Sequence, residues 1–324
     1  MIKVTNENTL SDIGTHNGIF HSDDVVAVAL LDILNGQENE LKVIRSRNID
    51  MLRNNTLMMV DIGEGSFDHH QKGGNGTRDN GIDYASAGLI WKYFGGAIIN
   101  KYESNIDNIY INELFNEIDK EIIQKVDAED NGQINESHTF SFISSFLPIW
   151  TDTNKDYDKS FEECSNIVSK ILNSIIKTKI AYYEAKNEID KRLSDDNYMI
   201  KNILLIPSQT IPWTDIIIEI NETADNPIDF VAFPYPAGGY AIQSVPPSKE
   251  DKFGQRIPFP DKWAGETDDL AYISGIESAI LCHRGKFFAR AMELEDIILM
   301  GEKATKNYKH DKTLILTNKN EVNK

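Results

Sequence analysis

The sequence has few cysteines, no long apolar run and few basic residues for its acidic content. Its two cysteines, Cys164 and Cys282, lie far apart, which argues against a disulfide framework or a cysteine-based zinc site. No apolar segment approaches the ~20 residues that a membrane-spanning helix needs. Residues 1–8 are polar and lack the pattern of a signal peptide, so we expect a protein of the reducing cytoplasm.

The charge balance limits the class of substrate. The 324-residue chain carries 33 lysines and arginines against 51 aspartates and glutamates, a formal net charge of −18. Non-specific binding to duplex nucleic acid requires a basic surface that displaces counterions. A phosphate-bearing substrate of this protein must therefore be held by local positive charges or by bound metal.

Apolar segments in the first half alternate in the order strand, helix, strand, strand. This order is typical of an α/β fold with a parallel sheet and crossover helices. The predicted elements are a strand at 12–16, a helix at 23–34 and strands at 41–45 and 57–61. The run Leu57–Val60 is typical of a fully buried strand, and a carboxylate after such a strand lies at the ligand-binding edge of an open sheet.

The second half has a different texture. A long helix without proline or glycine is predicted at 157–193, followed by short strand candidates between proline, asparagine and glycine residues. These strands are predicted at 203–206, 216–220, 230–233 and 240–244 and within 275–284, and a last helix at 293–304. We therefore predict an N-terminal domain (1–156), a helical connector (157–197) and a C-terminal domain (198–324).

Side chains that bind metals follow several of the predicted apolar elements. They are His16, His21, Asp23 and Asp24, then Asp61, then Asp68, His69 and His70, and finally Asp127 and Asp130. In a parallel sheet these positions meet at one edge. Within the set we interpret Asp24 as a helix cap, and Asp130 as a residue that either supports the ligands from behind or is structural.

The number and kind of these side chains favour two metal ions. A structural zinc site uses four ligands, usually with cysteine among them, whereas this set is larger and contains only histidine and aspartate. Such a set suits a pair of Mn²⁺-like ions about 3.5–4 Å apart, bridged by a carboxylate and a water. The bridging water would become a hydroxide nucleophile that attacks a phosphate ester or anhydride.

The motif Asp68-His69-His70, with the upstream histidines and Asp127, resembles that of the DHH phosphoesterase superfamily. The chain more closely resembles the Myg (melanocyte proliferating gene) family, whose members are regarded as exonucleases acting on RNA. The resemblance spans about 12–304. Its matching segments are 14–24, 60–61, 67–71, 84–91, 126–132, 241–246, 260–265 and 274–276, with His283.

The resemblance implies a role for each candidate side chain. The implied ligands of two divalent cations, Mn²⁺ or Mg²⁺, are His16, His21, Asp23, Asp61, His69 and Asp127. Asp61 would bridge the two ions. Many DHH enzymes have aspartate at the position of His21, so the chain departs from their pattern at this ligand. Asp68 and His70 are the implied catalytic residues, with His70 facing the phosphate.

The resemblance also implies a DHH-type arrangement in which a smaller, mixed α+β C-terminal domain closes over the cleft. That domain would bind the phosphate through basic side chains. The candidates are Arg256, His283, Arg284 and Lys286. The segment 285–290 lacks the paired glycines that many relatives have there.

The implied function is that of a two-metal-ion phosphodiesterase, an exonuclease that hydrolyses short RNA or single-stranded nucleic acid with a metal-bound hydroxide. One alternative is a hydrolase of a small phosphate compound, such as pyrophosphate or a cyclic dinucleotide. Another is a non-catalytic, metal-stabilised binding module. The sequence leaves open the metal, the polarity of cleavage and whether the chain forms a homodimer.

Overall fold

The computed structural model describes residues 1–7, 9–102, 106–134 and 138–322. The chain divides into two compact units, Met1–Tyr183 and Glu184–Lys324. The division falls inside the predicted connector 157–197. The three-part domain assignment itself stays a prediction, and residues 323 and 324 of its last range lie outside the described residues.

The first unit contains a four-stranded parallel sheet, as the order of the apolar segments predicted. Its strands are β1 (Ile2–Thr5), β2 (Ser11–Thr15), β3 (Leu41–Arg45) and β4 (Thr56–Met59). The order across the sheet is β1-β3-β2-β4, with Ile13 of β2 opposite Val43 on one side and Met58 on the other. The edge strand β1 was not predicted.

Helices connect and cover these strands. They are α1 (Ser22–Asn35), α2 (Ile49–Asn55), α3 (Ser86–Asn100), α4 (Asn108–Ile118), α5 (Gln124–Asp130), α6 (His138–Ser144) and α7 (Tyr157–Leu193), with a π-helical turn at Asp119–Ile123 between α4 and α5. Helix α1 packs on α3. Its residues from Ser22 to Ile33 are all buried, which explains why it is apolar nearly all round.

The prediction that Leu57–Val60 forms a fully buried strand is wrong. Strand β4 lies at the edge of the sheet, and Leu57 is 87% exposed. Only Val60, directly after the strand, is fully buried. An edge strand has a neighbour on one side only, so an apolar sequence alone does not bury it.

The second unit contains a six-stranded mixed sheet in the order β5-β6-β7-β8-β10-β9. Its strands are β5 (Met199–Ile200), β6 (Ile203–Leu205), β7 (Phe230–Pro234), β8 (Tyr240–Ser244), β9 (Ala279–Cys282) and β10 (Phe288–Ala291). Strands β6 and β7 pair in parallel, and the other neighbours pair antiparallel. The unit also contains α8 (Trp213–Thr223), α9 (Leu270–Ser274) and α10 (Leu294–Val322).

The predicted strand at 216–220 is wrong, since this segment lies in α8. Ile216, Ile217 and Ile218 are buried there, while acidic residues flank them in sequence. A short apolar run has no periodicity that separates a strand from the inner face of a helix. The last helix, predicted at 293–304, continues to Val322.

Two expectations from composition concern the whole chain. Both cysteines are free and buried, in agreement with the absence of a predicted disulfide. Among the described residues, no helix has the length and apolar character that crossing a membrane requires.

Candidate metal centre

The first ligand candidates lie between β2 and α1. His16 directly follows β2, and His21 precedes the first turn of α1, which contains Asp23 and Asp24. The backbone N–H of His21 donates to Asp24 Oδ1 at 2.9 Å, as in a helix cap. Asp24 does more than cap the helix, however, because its Oδ2 lies 3.4 Å from His16 Nε2. The interpretation of Asp24 as a cap alone is therefore incomplete.

Asp61 lies just beyond β4 in a left-handed backbone conformation, with φ at 59°. Val60 N–H still donates to Gly14 O, which continues the sheet pairing to this point. The Asp61 carboxylate is 1% exposed, and its Oδ1 accepts a hydrogen bond from the hydroxyl of Ser86 at 3.0 Å. The turn thus directs a buried carboxylate away from the strand, and aspartate is among the residues that tolerate this conformation.

Asp68 organises the loop that carries the paired histidines. Its Oδ2 accepts the N–H of Glu64 at 2.7 Å, and its Oδ1 accepts the N–H of His70 at 3.0 Å. The same Oδ1 lies 2.9 Å from His70 Nδ1. The buried Asp68 therefore orients the ring of His70 rather than adding a ligand of its own to the groups described below.

His69 faces three carboxylates. Its Nε2 lies 3.2 Å from Asp130 Oδ2, 3.4 Å from Asp61 Oδ1 and 3.6 Å from Asp23 Oδ2. Its Nδ1 lies 3.3 Å from Asn131 Oδ1, a contact that fixes which nitrogen points to the acids. Asp130 therefore contacts the ring of a candidate ligand, and whether it supports the ligands or binds a metal itself stays a prediction. Its position one helical turn after Asp127 is the sequence signal for this contact.

Three groups of these side chains have ligand atoms close enough to hold a metal ion. Within each group the atoms lie within 4.8 Å of one another. The groups are His16, His21 and Asp61; Asp61, His69 and His70; and His21, Asp23 and Asp130. Asp61 and His21 each belong to two groups. One carboxylate shared between two groups of ligands is the arrangement that a bridging residue requires.

The donor set fits divalent cations. Within the described part of the chain, several buried atoms of the cluster have no hydrogen-bond partner: Asp23 Oδ1, Asp24 Oδ2, Asp61 Oδ2 and His69 Nε2. Buried polar atoms without partners cost free energy, and a bound cation would satisfy those that face it. Carboxylate oxygens and imidazole nitrogens suit Mn²⁺-type ions, and Mg²⁺ binds to the carboxylates.

The electrostatics of the cluster also favour a bound cation. Burial raises the pKa of Asp23 well above its usual value, and the charges of Asp61, Asp130 and Asp24 reinforce the shift. Burial alone would also raise the pKa of Asp61, but the adjacent His16 and His69 rings outweigh it and lower that pKa. The cluster thus holds crowded acids that a cation would stabilise as carboxylates.

Asp127 lies in none of the three groups. It is fully buried, its Oδ2 lies 2.7 Å from Arg78 Nη1, and its Oδ1 accepts the N–H of Gly88 at 2.9 Å. Arg78 also pairs with Asp119 at 2.9 Å. In this structure the negative charge of Asp127 is balanced by arginine, and its role as a ligand stays a prediction.

Beside the ligand groups lies a cavity of about 290 Å³. His16, His21, Asp61, Asp68 and His70 line it, together with residues of the 62–64 turn and Arg47. Arg47 follows β3 and is exposed, and its Nη2 donates to Asn17 O at 3.5 Å. It is not among the candidates predicted from sequence, although an arginine after a parallel strand next to the ligand-bearing strand is the signal that could have found it.

The four basic candidates of the second unit do not form one group. Arg256 lines a cavity of about 750 Å³ and lies 3.4 Å from Asp229 Oδ1. His283, Arg284 and Lys286 lie in the turn between β9 and β10, where Lys286 pairs with Asp261 at 2.6 Å. Their role in binding substrate stays a prediction.

Comparison with known proteins gives one family. The MYG1_exonuc model, described as an uncharacterised protein family (UPF0160), matches residues 12–305. A "MYG1 protein" of Chlamydia trachomatis is 27% identical over 290 residues, which cover 86% of this chain and 90% of the relative. The human "MYG1 exonuclease" is 25% identical over 305 residues, 85% of this chain and 80% of the relative. No solved structure gives a significant match.

Proposed function

The chain belongs to the MYG1_exonuc family, and from this premise we propose that it is a metal-dependent exonuclease for short RNA or single-stranded oligonucleotides. The observation that supports this proposal most directly is the position of Asp61. Its Oδ2 lies 3.2 Å from His16 Nε2, and its Oδ1 lies 3.4 Å from His69 Nε2 and 3.3 Å from His70 Nδ1. One buried carboxylate thus faces histidines on two sides.

In the proposed site, His16, His21 and Asp61 would hold one divalent cation, and Asp61 with His69 and His70 would hold or face a second. Two bound cations would supply an activated water and neutralise charge on the phosphate. We propose Mn²⁺ or Mg²⁺ for both positions, with Asp23 and Asp130 completing the ligand set through their group with His21.

The protein's own residues would orient the substrate. Asp68 and Asp61 both contact Nδ1 of His70, so Nε2 is the ring nitrogen available to a substrate phosphate. Arg47 lines the same cavity and would pair with a non-bridging phosphate oxygen. The guanidinium of Arg47 supplies positive charge at this cavity, in a chain whose formal net charge is −18.

The size of the cavity keeps one alternative in consideration. A volume of about 290 Å³ is at the lower end for a small-molecule site, so a compact phosphate compound would also fit. Pyrophosphate and a dinucleotide are the compounds to compare with RNA. The metal ligands would be the same for all three substrates.

The test is Mn²⁺-dependent shortening of a 5′-labelled RNA of a few nucleotides by the full-length protein. We expect stepwise products from the wild type and none from Asp61→Asn. The matched control is Asp50→Asn, which makes the same chemical change at a side chain that is 91% exposed, and which should retain activity. Cleavage of pyrophosphate or a dinucleotide but not RNA would move the proposal to the small substrate, and unchanged RNA cleavage by Asp61→Asn would refute this centre.

A further inference from the structure

A cavity lined by basic side chains lies within the second unit. It has a volume of about 360 Å³ and is bounded by the 260–263 turn, the end of α9 and one face of α10. The lining residues that carry charge or hydrogen-bond donors are Lys262, Trp263, Ser274, Lys303, Lys306 and His310, with Asn307 between them. Among the described residues, no aspartate or glutamate belongs to the lining. In a chain with a net charge of −18, a cavity with this lining is unusual.

Helix α10 brings three of the basic side chains together. Lys303, Lys306 and His310 follow one another at spacings of three and four residues, which places them on one face of the helix. Lys303 Nζ donates to the carbonyls of Ser274 and Gly275, at 2.6 Å and 3.2 Å. These contacts connect α10 to the end of α9, and because both acceptors are neutral carbonyls they do not cancel the ammonium charge.

The charges of the lysines are not matched by acids within the described part of the chain. There, no carboxylate forms an ion pair with Lys262, Lys303 or Lys306. Some other lysines of the same unit are paired, as Lys201 is with Glu302 and Lys286 is with Asp261. The positive charge around this cavity is therefore uncompensated by the residues that the structure describes.

Two buried polar groups at the wall of the cavity have unmet hydrogen-bonding capacity. Trp263 is 1% exposed, and its Nε1 has no hydrogen-bond partner among the described residues. Ser274 is 7% exposed, and its Oγ has none within the same residues either. Native proteins seldom leave such groups unmatched, and a ligand with several acceptor oxygens would satisfy both.

The packing of Trp263 identifies the kind of ligand. Its ring lies against Phe259, with centroids 6.1 Å apart and planes at 22°, and the side chain is buried. A nucleobase therefore has no open ring face on which to stack. Ammonium groups, an indole N–H and a hydroxyl are donors for an oxyanion with several acceptor oxygens.

We propose that this cavity binds a phosphate group, either inorganic phosphate or the phosphate of a nucleoside monophosphate. Lys262, Lys303 and Lys306 supply the charge, and Trp263 and Ser274 donate to the phosphate oxygens. The inference goes beyond the proposed nuclease and does not depend on it, because all of these residues belong to the second unit and none to the metal centre.

The test is calorimetric titration of the full-length protein with inorganic phosphate and, separately, with adenosine monophosphate. We expect saturable binding at one site for the wild type, weakened about tenfold in Lys306→Ala because a charge-assisted hydrogen bond is lost. The matched control is Lys309→Ala, which removes the same charge from the same helix but lines a different cavity. Binding that is much tighter for the monophosphate identifies the nucleotide as the ligand, and equal binding identifies phosphate itself; both agree with the proposal.

Two further variants separate this site from folding and from the metal centre. Ser274→Ala removes a hydroxyl that makes no hydrogen bond within the described residues, so we expect unchanged thermal stability without phosphate and weakened phosphate binding. Asp61→Asn should bind phosphate as the wild type does, even if it lacks nuclease activity. Absence of saturable binding, equal loss in Lys309→Ala and Lys306→Ala, or loss in Asp61→Asn would overturn the proposal.

Discussion

Asp61 Oδ2 lies 3.2 Å from His16 Nε2, and both side chains are buried. The two residues follow β4 and β2, which are neighbours in the parallel sheet. Burial alone would lower the pKa of His16, but the adjacent carboxylates of Asp61 and Asp24 raise it. The sheet thus holds a histidine and a carboxylate together at the edge where the other ligand candidates also lie.

Replacing Asp23 by asparagine should stabilise the metal-free protein. Asp23 is fully buried near Asp61, Asp130 and Asp24, and an amide removes this repulsion while its oxygen still accepts the Ser86 N–H. In EDTA we expect a gain of ~1 kcal/mol in the free energy of unfolding, with the loss of most of the stabilisation by Mn²⁺. Thermal denaturation with and without Mn²⁺ measures the stability of the metal-free protein and the stabilisation by the metal. If Asp23→Asn were less stable than the wild type in EDTA, repulsion among the carboxylates would not explain the result.

Metal binding should release a proton near neutral pH. Burial alone would lower the pKa of His69, but the carboxylates of Asp130 and Asp61 beside its Nε2 outweigh it and raise the pKa to about 11 in the metal-free protein. The protonated His69 ring stabilises the metal-free fold. This stabilisation is complete below about pH 6.5, the pKa of histidine in the unfolded chain, and it is lost as the pH rises through about 11. A metal ion needs neutral imidazole, so its affinity should increase with pH across the neutral range.

Calorimetry of Mn²⁺ binding at about pH 7.5 in two buffers with different ionisation enthalpies measures this release. The apparent enthalpy should differ between the buffers in proportion to the protons expelled. The same experiment on His69→Gln should show a smaller difference, since that side chain has no proton to lose. An identical enthalpy in both buffers for the wild type would show that His69 is already neutral.

Gly88 should be essential for the position of Asp127. A Cβ at this position would lie 1.8 Å from Asp127 Oδ2 and 2.8 Å from Arg78 Nη2. Gly88→Ala should therefore displace the Asp127–Arg78 pair and lower the free energy of unfolding by ~3 kcal/mol, as breaking a buried ion pair does. Chemical denaturation measures the change.

Gly96→Ala is the control for this prediction, because Gly96 lies in the same helix and a Cβ there meets no atom within 4 Å among the described residues. Alanine is the better helix former, so this variant should be as stable as the wild type or more stable by ~0.5–1 kcal/mol. Equal stability of the two variants would show that the chain accommodates a side chain at position 88.

Arg47 should bind the substrate rather than maintain the fold. Arg47→Gln removes the charge at the rim of the cavity and should raise the KM for RNA about tenfold with little change in thermal stability, because the side chain is exposed. Arg47→Lys keeps the charge but not the planar guanidinium, so its KM for RNA should lie between those of the wild type and Arg47→Gln. The control is Arg53→Gln, at an exposed arginine on α2. A drop in kcat alone would contradict a binding role.

The sequence by itself determined the elements whose signals are local. Helix α1 begins with an acidic first turn and ends before Gly36, as its sequence predicts, and β3 and α7 lie where the apolar patterns place them. The residue types of the metal centre were also apparent, because histidine and aspartate directly after apolar segments of a parallel-sheet protein are typical of a metal site. These features depend on neighbours within a turn or a strand.

The tertiary structure determined the features that depend on contacts between separate segments of the chain. The isoleucines of α8 individually favour strands, yet they are buried in a helix of the second unit. Asp127 and Asp130 are one helical turn apart, yet Arg78 holds the first and His69 contacts the second. Arg47 lines the cavity beside the ligand groups for the same reason: residues far apart in the chain meet only when the sheet forms, and no local pattern encodes those distances.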